Sequence, residues 1–176
     1  MRNQISKLPN GTFSAEDYLD NDGITDVALK ISLDLTIIGD EMTLDFRRSS
    51  KACAGPVNIS YATTIAACYV ALKHLFEDVP ANAGVLMPIT FKIDEDSLLS
   101  VKAPKPVGGY TETILRLIDV VFLAMAEISS EKSMACAYGT INALSLSGYR
   151  SNGLRWVMFS FFGGGHGAHY RGDGLN

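Results

Sequence analysis

The chain has 176 residues, a formal net charge of −4 and an isoelectric point near 5.3. Hydrophobic residues make up 47% of it and charged residues 19%, a balance that excludes an intrinsically disordered chain. Lysine and arginine residues do not cluster, so we expect no nucleic-acid partner. This length fits a single domain over residues 1–176.

The cysteines and the apolar runs predict the cellular compartment of the protein. Cys53, Cys68 and Cys136 are odd in number and widely spaced, which argues against a disulfide framework. The longest apolar stretch, residues 120–126, is far shorter than the roughly 20 residues that span a bilayer. The first residues also lack the apolar core of a signal peptide. We therefore expect a cytoplasmic protein that makes no membrane contact.

The N-terminal part of the chain predicts an irregular segment followed by a hairpin. Residues 1–26 are polar and rich in turn formers, which favours an irregular surface lead-in over a calcium loop. Residues 27–37 alternate strictly between apolar and polar, which predicts a half-buried strand. Gly39-Asp40 then predicts a two-residue turn into a second strand. The expected apolar pairs are Ile37 with Met42, Leu35 with Leu44 and Leu33 with Phe46.

This register has an electrostatic consequence. It places Asp34 opposite Asp45, a like-charge pair that costs a few tenths to about 1 kcal/mol unless cations compensate it. Lys30 and Arg47 lie on the same face and are the expected compensating cations. We interpret the pair as a solvated feature rather than as a cation or substrate site.

Two helices are predicted from periodicity. Asn58 is the expected N-cap of a helix that runs to about Phe76. Residues 111–128 predict a second helix, which is apolar almost all round. Its narrow polar stripe includes Arg116, which we expect to pair with Glu112 and Asp119.

The remaining segments favour strands. Apolar runs punctuated by prolines, including residues 85–93, predict edge or irregular strands. Residues 134–146 and 154–162 also predict strands, and the second is apolar on both faces, as in a central strand. The order of elements predicts an α+β fold, with two long helices packed against mainly antiparallel sheet.

The tail, residues 163–176, is rich in glycine and carries two histidines. Such a loop brings bare backbone close to another segment or to a ligand, and its N–H groups can hold an anion. His166, His169 and Asp173 are candidate metal ligands by residue type. Their spacing on a glycine loop matches no rigid helix face, so metal binding is not the favoured interpretation. The sequence contains no phosphate-binding loop, nucleophile elbow or C-x-x-C pair.

Several short motifs, taken in order, resemble the hydantoinase B/oxoprolinase family, which includes N-methylhydantoinase B, the C-terminal half of 5-oxoprolinase, and acetone and acetophenone carboxylase subunits. The resemblance covers nearly the whole chain and fits a partial segment of the family. The motifs are residues 8–11 and 19–23, Gly39-Asp40 with 44–46, residues 55–58, residues 79–84, residues 103–107, and the glycine loop with Asp173-Gly174.

The resemblance implies a function in a complex. It implies a segment or small subunit of an ATP-dependent hydrolase that opens hydantoins or 5-oxoproline-type lactams with a hydantoinase A-type partner, in an oligomer. ATP would bind to the partner, and zinc or manganese would belong to the full assembly rather than to this segment. The residues expected to shape substrate or interface loops are Asn58, Asn82, Gly164, Gly165, Gly167 and Asp173.

Other interpretations stay open. The stretch that carries the metal ligands of relatives precedes the matched region, and Ser160 stands near the place of a family glutamate. These features favour a second hypothesis, a non-catalytic assembly module derived from the family. A related carboxylase subunit and a stand-alone small-molecule-binding domain are further alternatives.

Overall fold

The alternating stretch forms the centre of a sheet in the computed structural model, which describes residues 1–139 and 142–175. Strands β2 (Leu29–Ile38) and β3 (Glu41–Asp45) are antiparallel and joined at Gly39, whose φ of +62° favours glycine. The predicted pairs Ile37–Met42 and Leu35–Leu44 are confirmed. The ladder stops at Asp34–Asp45, so the third predicted pair lies beyond it.

The like-charge pair is present and is compensated by two arginines. Arg47 lies 2.6 Å from Asp45, as predicted, and Arg48 lies 2.5 Å from Asp34. The expected role of Lys30 was wrong, because its amine lies 3.7 Å from Glu16 instead. Each carboxylate thus has its own guanidinium.

The prediction of an irregular lead-in was wrong. A short helix α1 (Arg2–Ile5) opens the chain, and β1 (Gly11–Leu19) pairs antiparallel with β2 over its whole length. Along β1, half-buried positions alternate with exposed ones, and Asp17 occupies one of the half-buried positions. This carboxylate interrupts an already weak apolar series, which hides the strand pattern in the sequence.

The sheet is completed by an edge strand. Its order is β1-β2-β3-β4, where β4 (Ile89–Lys92) runs parallel to β3 and follows a 3₁₀ turn, Ala83–Leu86. An edge strand is what the proline-punctuated pattern predicted for residues 85–93. The other neighbouring pairs are antiparallel, which confirms a mainly antiparallel α+β fold.

Two long helices cover the sheet. Helix α2 (Tyr61–Leu75) and helix α3 (Tyr110–Ala126) pack on each other, and α3 also packs on β1 and β2. The helices occur where periodicity predicted them, but the N-cap of α2 is Ser60, whose hydroxyl accepts from Thr63 N at 3.2 Å. The core between sheet and helices includes Ile31, Leu33, Leu35, Leu44, Phe46, Leu72, Leu117 and Val120.

A second sheet stands apart from this core. Strands β5 (Asn142–Tyr149) and β6 (Arg155–Phe162) form a two-stranded antiparallel hairpin. The prediction of a central strand for residues 154–162 was wrong, since Phe159 is 58% exposed and Phe161 64% exposed. The strand is apolar on both faces, as its pattern indicated, yet both faces remain largely open to solvent.

None of the helices in the described ranges is long and apolar enough to cross a bilayer.

Candidate functional site

A buried carboxylate organises the loop between β1 and β2. Asp22 is 2% exposed, and its Oδ1 accepts from Ile24 N at 2.9 Å and from Thr25 N at 2.6 Å. Its Oδ2 accepts from Gly55 N at 2.9 Å. The backbone hydrogen bonds from Thr25, Ile24 and Gly55 hold the pKa of Asp22 well below its usual range. Asp22 therefore stays ionised and joins two loops.

Asn58 is the second buried organiser of these loops. It is fully buried, its Oδ1 accepts from Cys53 N at 2.9 Å, and its Nδ2 donates to Gly55 O at 2.9 Å and to Pro106 O at 3.0 Å. The side-chain amide thus satisfies backbone groups in the loop before α2 and in the loop before α3. Asn58 was expected to shape loops and to cap α2; it bonds the loops and does not cap the helix.

The same loops fix the start of α3. Gly109 N donates to Pro56 O at 2.9 Å, and the Thr113 hydroxyl donates to Val57 O. Because Gly109 is the residue before the first turn of α3, the helix is tied to the loop that Asn58 holds. The consequence is a fixed position for Glu112 and Arg116 relative to the end of β1.

Arg116 lies at the edge of a polar cleft. Its Nη1 donates to Asp17 Oδ2 at 2.8 Å and lies 3.7 Å from Asp119 Oδ2. The predicted pair of Arg116 with Asp119 is confirmed, whereas the predicted pair with Glu112 is not among the ion pairs of the described residues. The shorter contact of Arg116 is to Asp17 on β1. The cleft has a volume of about 260 Å³ and its lining includes Tyr18, Asp20, Asn21, Glu112, Arg116 and Gly139.

Two polar atoms of this cluster are buried without a partner. Arg116 Nε and Asp119 Oδ2 make no hydrogen bond with any described residue. Burial raises the pKa of Asp119, while the positive charge of Arg116 opposes the rise. For Arg116, burial acts to lower the pKa, but the hydrogen bond and charge of Asp17 outweigh it and the pKa is raised. The guanidinium therefore remains charged, while its buried Nε has no hydrogen-bond acceptor among the described residues.

Cys136 belongs to the same cluster. The residue is exposed overall, yet partial burial of its thiol raises the pKa, and the neighbouring Asp119 carboxylate raises it further. Cys68, inside α2, is buried and its thiol pKa is raised by that burial. Neither thiol has the electropositive setting that activates a cysteine nucleophile.

The glycine tail packs against residues 135–138. A Cβ at Gly164 would lie 2.0 Å from Tyr138 Cγ, and one at Gly167 would lie 2.1 Å from Ala135 O. Ala135 N donates to Ala168 O at 2.8 Å and Tyr138 N to Gly165 O at 3.0 Å. Close approach to another chain segment, one of the two roles expected for these glycines, is what the structure shows.

A second, apolar cavity lies beneath this tail. Its volume is about 420 Å³. It shares Gly139 with the polar cleft, and Gly139 has a φ of +66°. The walls include Leu115, Tyr138, Phe161, Phe162 and the backbone of residues 163–165. The two cavities thus flank the segment that leads from α3 toward the hairpin.

The candidate metal trio is spread along the tail. His169 Nδ1 accepts from Arg171 N at 3.2 Å, and His166 pairs through its backbone with Leu175. Residues 1–139 and 142–175 contain no group of three or more His, Cys, Asp or Glu side chains placed to hold a metal ion. His166, His169 and Asp173 therefore do not fit the metal that the family resemblance implies.

Two other expected residues act locally. Asn82 caps the 3₁₀ turn, where its Oδ1 accepts from Gly84 N at 2.9 Å. Ser160 is half-buried on β6 opposite Leu144. Neither residue lines the polar cleft or the apolar cavity. The structure brings Asn58 and Arg116 into one loop system and leaves Asn82 outside it.

The link between Asp17 and Arg116 was not predicted. The two residues are 99 positions apart, and Asp17 lies in a segment that was expected to be irregular. The available sequence signal was the alternation of Phe13, Ala15, Asp17 and Leu19, in which Asp17 is the one charged residue on the inward face. Such a carboxylate needs a cationic partner from another element. Asp22 and Gly55 both belong to the motif series, but no contact between them was expected.

The chain matches the model of one protein family over residues 1–176, and that family is described as hydantoinase B/oxoprolinase. It is 26% identical over 188 residues to the B-type subunit of a putative D-/L-hydantoinase of Pseudomonas sp. (strain NS671). The alignment covers 100% of the chain but 31% of that relative. The chain thus spans less than a third of the relative's length.

Solved structures share the fold. The ATP-dependent caprolactamase from Pseudomonas jessenii superposes with a TM-score of 0.72 at 22% identity, covering 91% of this chain and 27% of that one. A nucleotide-free acetone carboxylase structure superposes with a TM-score of 0.81 at 15% identity, covering 99% of this chain and 26% of that one. At these identities the likeness concerns the fold alone. With the family model matched from the first residue to the last, the chain belongs to the hydantoinase B/oxoprolinase family.

Proposed function

We propose that the chain is a segment or small subunit of an ATP-dependent hydrolase that opens cyclic amides of the hydantoin or 5-oxoproline type. The observation that carries this proposal is the family match through all 176 residues. Under the proposal the chain acts with a hydantoinase A-type partner, which binds ATP, and the complex works in the cytoplasm.

The names of the similar proteins support the reaction class. One relative is the B-type subunit of a putative hydantoinase, which agrees with the presence of a second kind of subunit. One structural neighbour is an ATP-dependent caprolactamase, which acts on a lactam. Both point to a C–N bond within a ring.

The polar cleft supports a binding role for this chain. A cyclic amide presents a carbonyl acceptor next to an N–H donor. The charged Arg116 and the Glu112 carboxylate both line the cleft, so one side chain can donate a hydrogen bond and the other can accept one. We propose that this cleft forms one wall of the substrate site in the assembled enzyme.

The loop residues have supporting roles in this proposal. Asn58 holds the loops that position α3, while Gly164, Gly165 and Gly167 let the tail approach residues 135–138. Asn82 and Asp173 contribute to the outer loops. A divalent metal in the assembled enzyme would need at least part of its ligands from outside residues 1–139 and 142–175, because those residues contain no group of three or more ligating side chains.

The test is co-expression of the full chain with a hydantoinase A-type subunit. We expect a stable complex that opens hydantoin, 5-oxoproline or caprolactam only when ATP is supplied. Arg116→Gln should lower turnover at least about tenfold, the size expected for one lost charged contact. Arg2→Gln is the matched control, because Arg2 also contacts two carboxylates but at an exposed site.

Absence of both complex formation and ATP-dependent ring opening on all three substrates would contradict the proposal. Equal turnover of Arg116→Gln and Arg2→Gln would contradict the role of the cleft. The turnover of each variant is measured well below its melting temperature, so that a loss of folded protein is not mistaken for a loss of substrate binding.

A non-catalytic assembly module is the second candidate. It is favoured by the contacts of Asp22, Asn58 and the tail glycines, all of which are made to other segments of the same chain. These residues therefore have a structural role. In that case the purified complex keeps its subunit composition with Arg116→Gln, and none of the three cyclic amides shifts the melting temperature of the parent complex.

A further inference from the structure

The C-terminal part of the chain differs in charge from the rest. Residues 133–172, which we name the extension, contain Arg150, Arg155 and Arg171 but no aspartate or glutamate. The whole chain has 15 Lys and Arg against 19 Asp and Glu, so the remainder has twelve basic residues against all nineteen acidic ones. The extension is basic and the body that contains the four-stranded sheet is strongly acidic.

The extension also exposes a large apolar surface. One face of the β5–β6 hairpin presents Val157, Phe159 and Phe161, which are 62%, 58% and 64% exposed. The opposite face presents Trp156, Met158 and Phe162, which are 36%, 41% and 48% exposed. A two-stranded hairpin alone is marginally stable in water, and exposed apolar patches mark interaction surfaces. We therefore expect another protein surface to pack against the exposed apolar side chains of the hairpin.

A complementary patch lies on the body. The loop of residues 20–28, which we name the acidic loop, exposes Ile24 at 68% and Val27 at 61%. Between and beside them stand the exposed carboxylates Asp20 and Asp26. Neither carboxylate makes an ion pair with a residue in the described ranges, and the same holds for Arg150 and Arg155 of the hairpin. Each surface combines apolar groups with unpaired charge, and the signs are opposite.

We propose that the β5–β6 hairpin of one copy of this chain docks on the acidic loop of a second copy, and that the contact is reciprocal. Direct pairing of hairpin with hairpin would bring Arg150 and Arg155 of both copies together, which like-charge repulsion disfavours. Hairpin on acidic loop joins opposite charges and buries apolar surface on both sides. Because one chain holds both surfaces, two copies form a closed, two-fold dimer. This inference does not depend on the proposed ring-opening activity.

The acidic loop is presented in a fixed shape. Asp22 holds it from within through its hydrogen bonds to Ile24 N and Thr25 N, while Ile24 and Asp26 point outward as exposed residues. A preformed surface loses less conformational entropy on association than a mobile one. The dimer therefore uses Asp22 as an internal support and Asp26 as a charged contact.

The experiment measures the mass of the full chain by sedimentation velocity and light scattering over a range of protein concentrations. We expect a dimer at micromolar concentration that weakens as ionic strength rises. Arg155→Glu and Asp26→Lys should each weaken dimerisation about tenfold or more, because each creates two like-charge contacts in a reciprocal dimer. An equimolar mixture of the two variants should recover the wild-type dimer, since the reversed charges then face each other.

Controls separate docking from folding. Met87→Ser removes an apolar residue that is 82% exposed elsewhere and should leave dimerisation unchanged. The paired variant Phe159→Ser and Phe161→Ser should abolish it, and the circular dichroism of Arg155→Glu should match that of the parent. Because Arg155 is an exposed residue, its variant keeps the test valid even if the double phenylalanine variant unfolds.

Three results would overturn the proposal. One is a monomeric mass at every protein concentration, and another is a dimer whose dissociation constant is unchanged by the hairpin variants. The third is a mixture of Arg155→Glu with Asp26→Lys that stays monomeric. The chain alone could instead be monomeric while the hairpin variants fail to bind a co-expressed hydantoinase A-type subunit. That result would show that the subunit, and not a second copy of this chain, covers the hairpin.

Discussion

Asp22 and Gly55 are in direct contact across two loops. The Gly55 N–H donates to Asp22 Oδ2 at 2.9 Å, and a Cβ at position 55 would lie 1.8 Å from the backbone oxygen of Asp22. The glycine at 55 is thus required by space, because the obstacle is backbone rather than a flexible side chain. This contact ties the β1–β2 loop to the loop that precedes α2.

Gly55→Ala should destabilise the protein by about 1–3 kcal/mol, the usual cost of overpacking. The alanine methyl group must displace backbone and so breaks the hydrogen bond to Asp22. The free energy of unfolding in urea measures this loss. Gly108→Ala is the matched control, since a Cβ there meets nothing within 4 Å. Equal stability of the two variants would contradict the steric argument.

The stability that Asp22 contributes should depend on pH. Its folded-state pKa is lowered by the hydrogen bonds from Thr25, Ile24 and Gly55, so its contribution is complete above the ordinary aspartate pKa, about 3.9. The contribution is lost as pH falls below that value toward the folded-state pKa. Urea unfolding at pH 7 and at pH 3 should therefore show a gap between parent and Asp22→Asn that narrows in acid. Met87→Ser, which alters an exposed and non-titrating side chain, is the control, and its stability relative to the parent should not change between the two pH values.

Asn58→Ala should cost at least about 3 kcal/mol, because it leaves several buried backbone groups without partners, at about 1–3 kcal/mol each. The affected groups belong to Cys53, Gly55 and Pro106. Asn82→Ala removes one exposed cap contact and should cost about 1 kcal/mol. Chemical denaturation of both variants tests the difference. A similar small loss for both would show that water replaces the Asn58 contacts.

Arg116→Gln should destabilise the protein by roughly 1–3 kcal/mol, less than a fully buried pair because the Arg116 side chain is 26% exposed. The loss arises because Asp119 stays buried without a positive neighbour. Adding Asp119→Asn should recover part of the loss, since the uncompensated charge is then gone. A double-mutant cycle on the free energy of unfolding measures this coupling. Additive effects of the two changes would indicate that Arg116 and Asp119 do not interact.

Without charge compensation, Asp119 should also titrate differently. Burial raises its pKa and Arg116 opposes the rise, so Arg116→Gln should raise the pKa further. A carboxyl with a raised folded-state pKa favours folding in its protonated form. This contribution is complete below the ordinary aspartate pKa and is lost as pH rises through the folded-state value. The stability deficit of Arg116→Gln should accordingly shrink when the pH is lowered toward 4.

The local parts of the fold were determined by the sequence alone. The alternation around Gly39 specifies both faces of the β2–β3 hairpin, and a shift by one residue would expose every apolar side chain, so the register follows from the pattern. The helices follow from their apolar periodicity within a turn or so. The motif series identified the family without any tertiary contact.

Only the tertiary structure decided which distant residues meet. Strand β1 has a weak pattern and is held by its pairing with β2, which no local period reveals. Asp17 meets Arg116, and Asn58 meets the Pro106 carbonyl, across 99 and 48 positions of chain. The glycines indicated a close approach, but Tyr138 and Ala135 are identified as its partners by packing. The physical reason is that hydrogen bonds and contacts at such separations depend on the arrangement of whole elements, whereas periodicity reports only the neighbours of a residue along its own strand or helix.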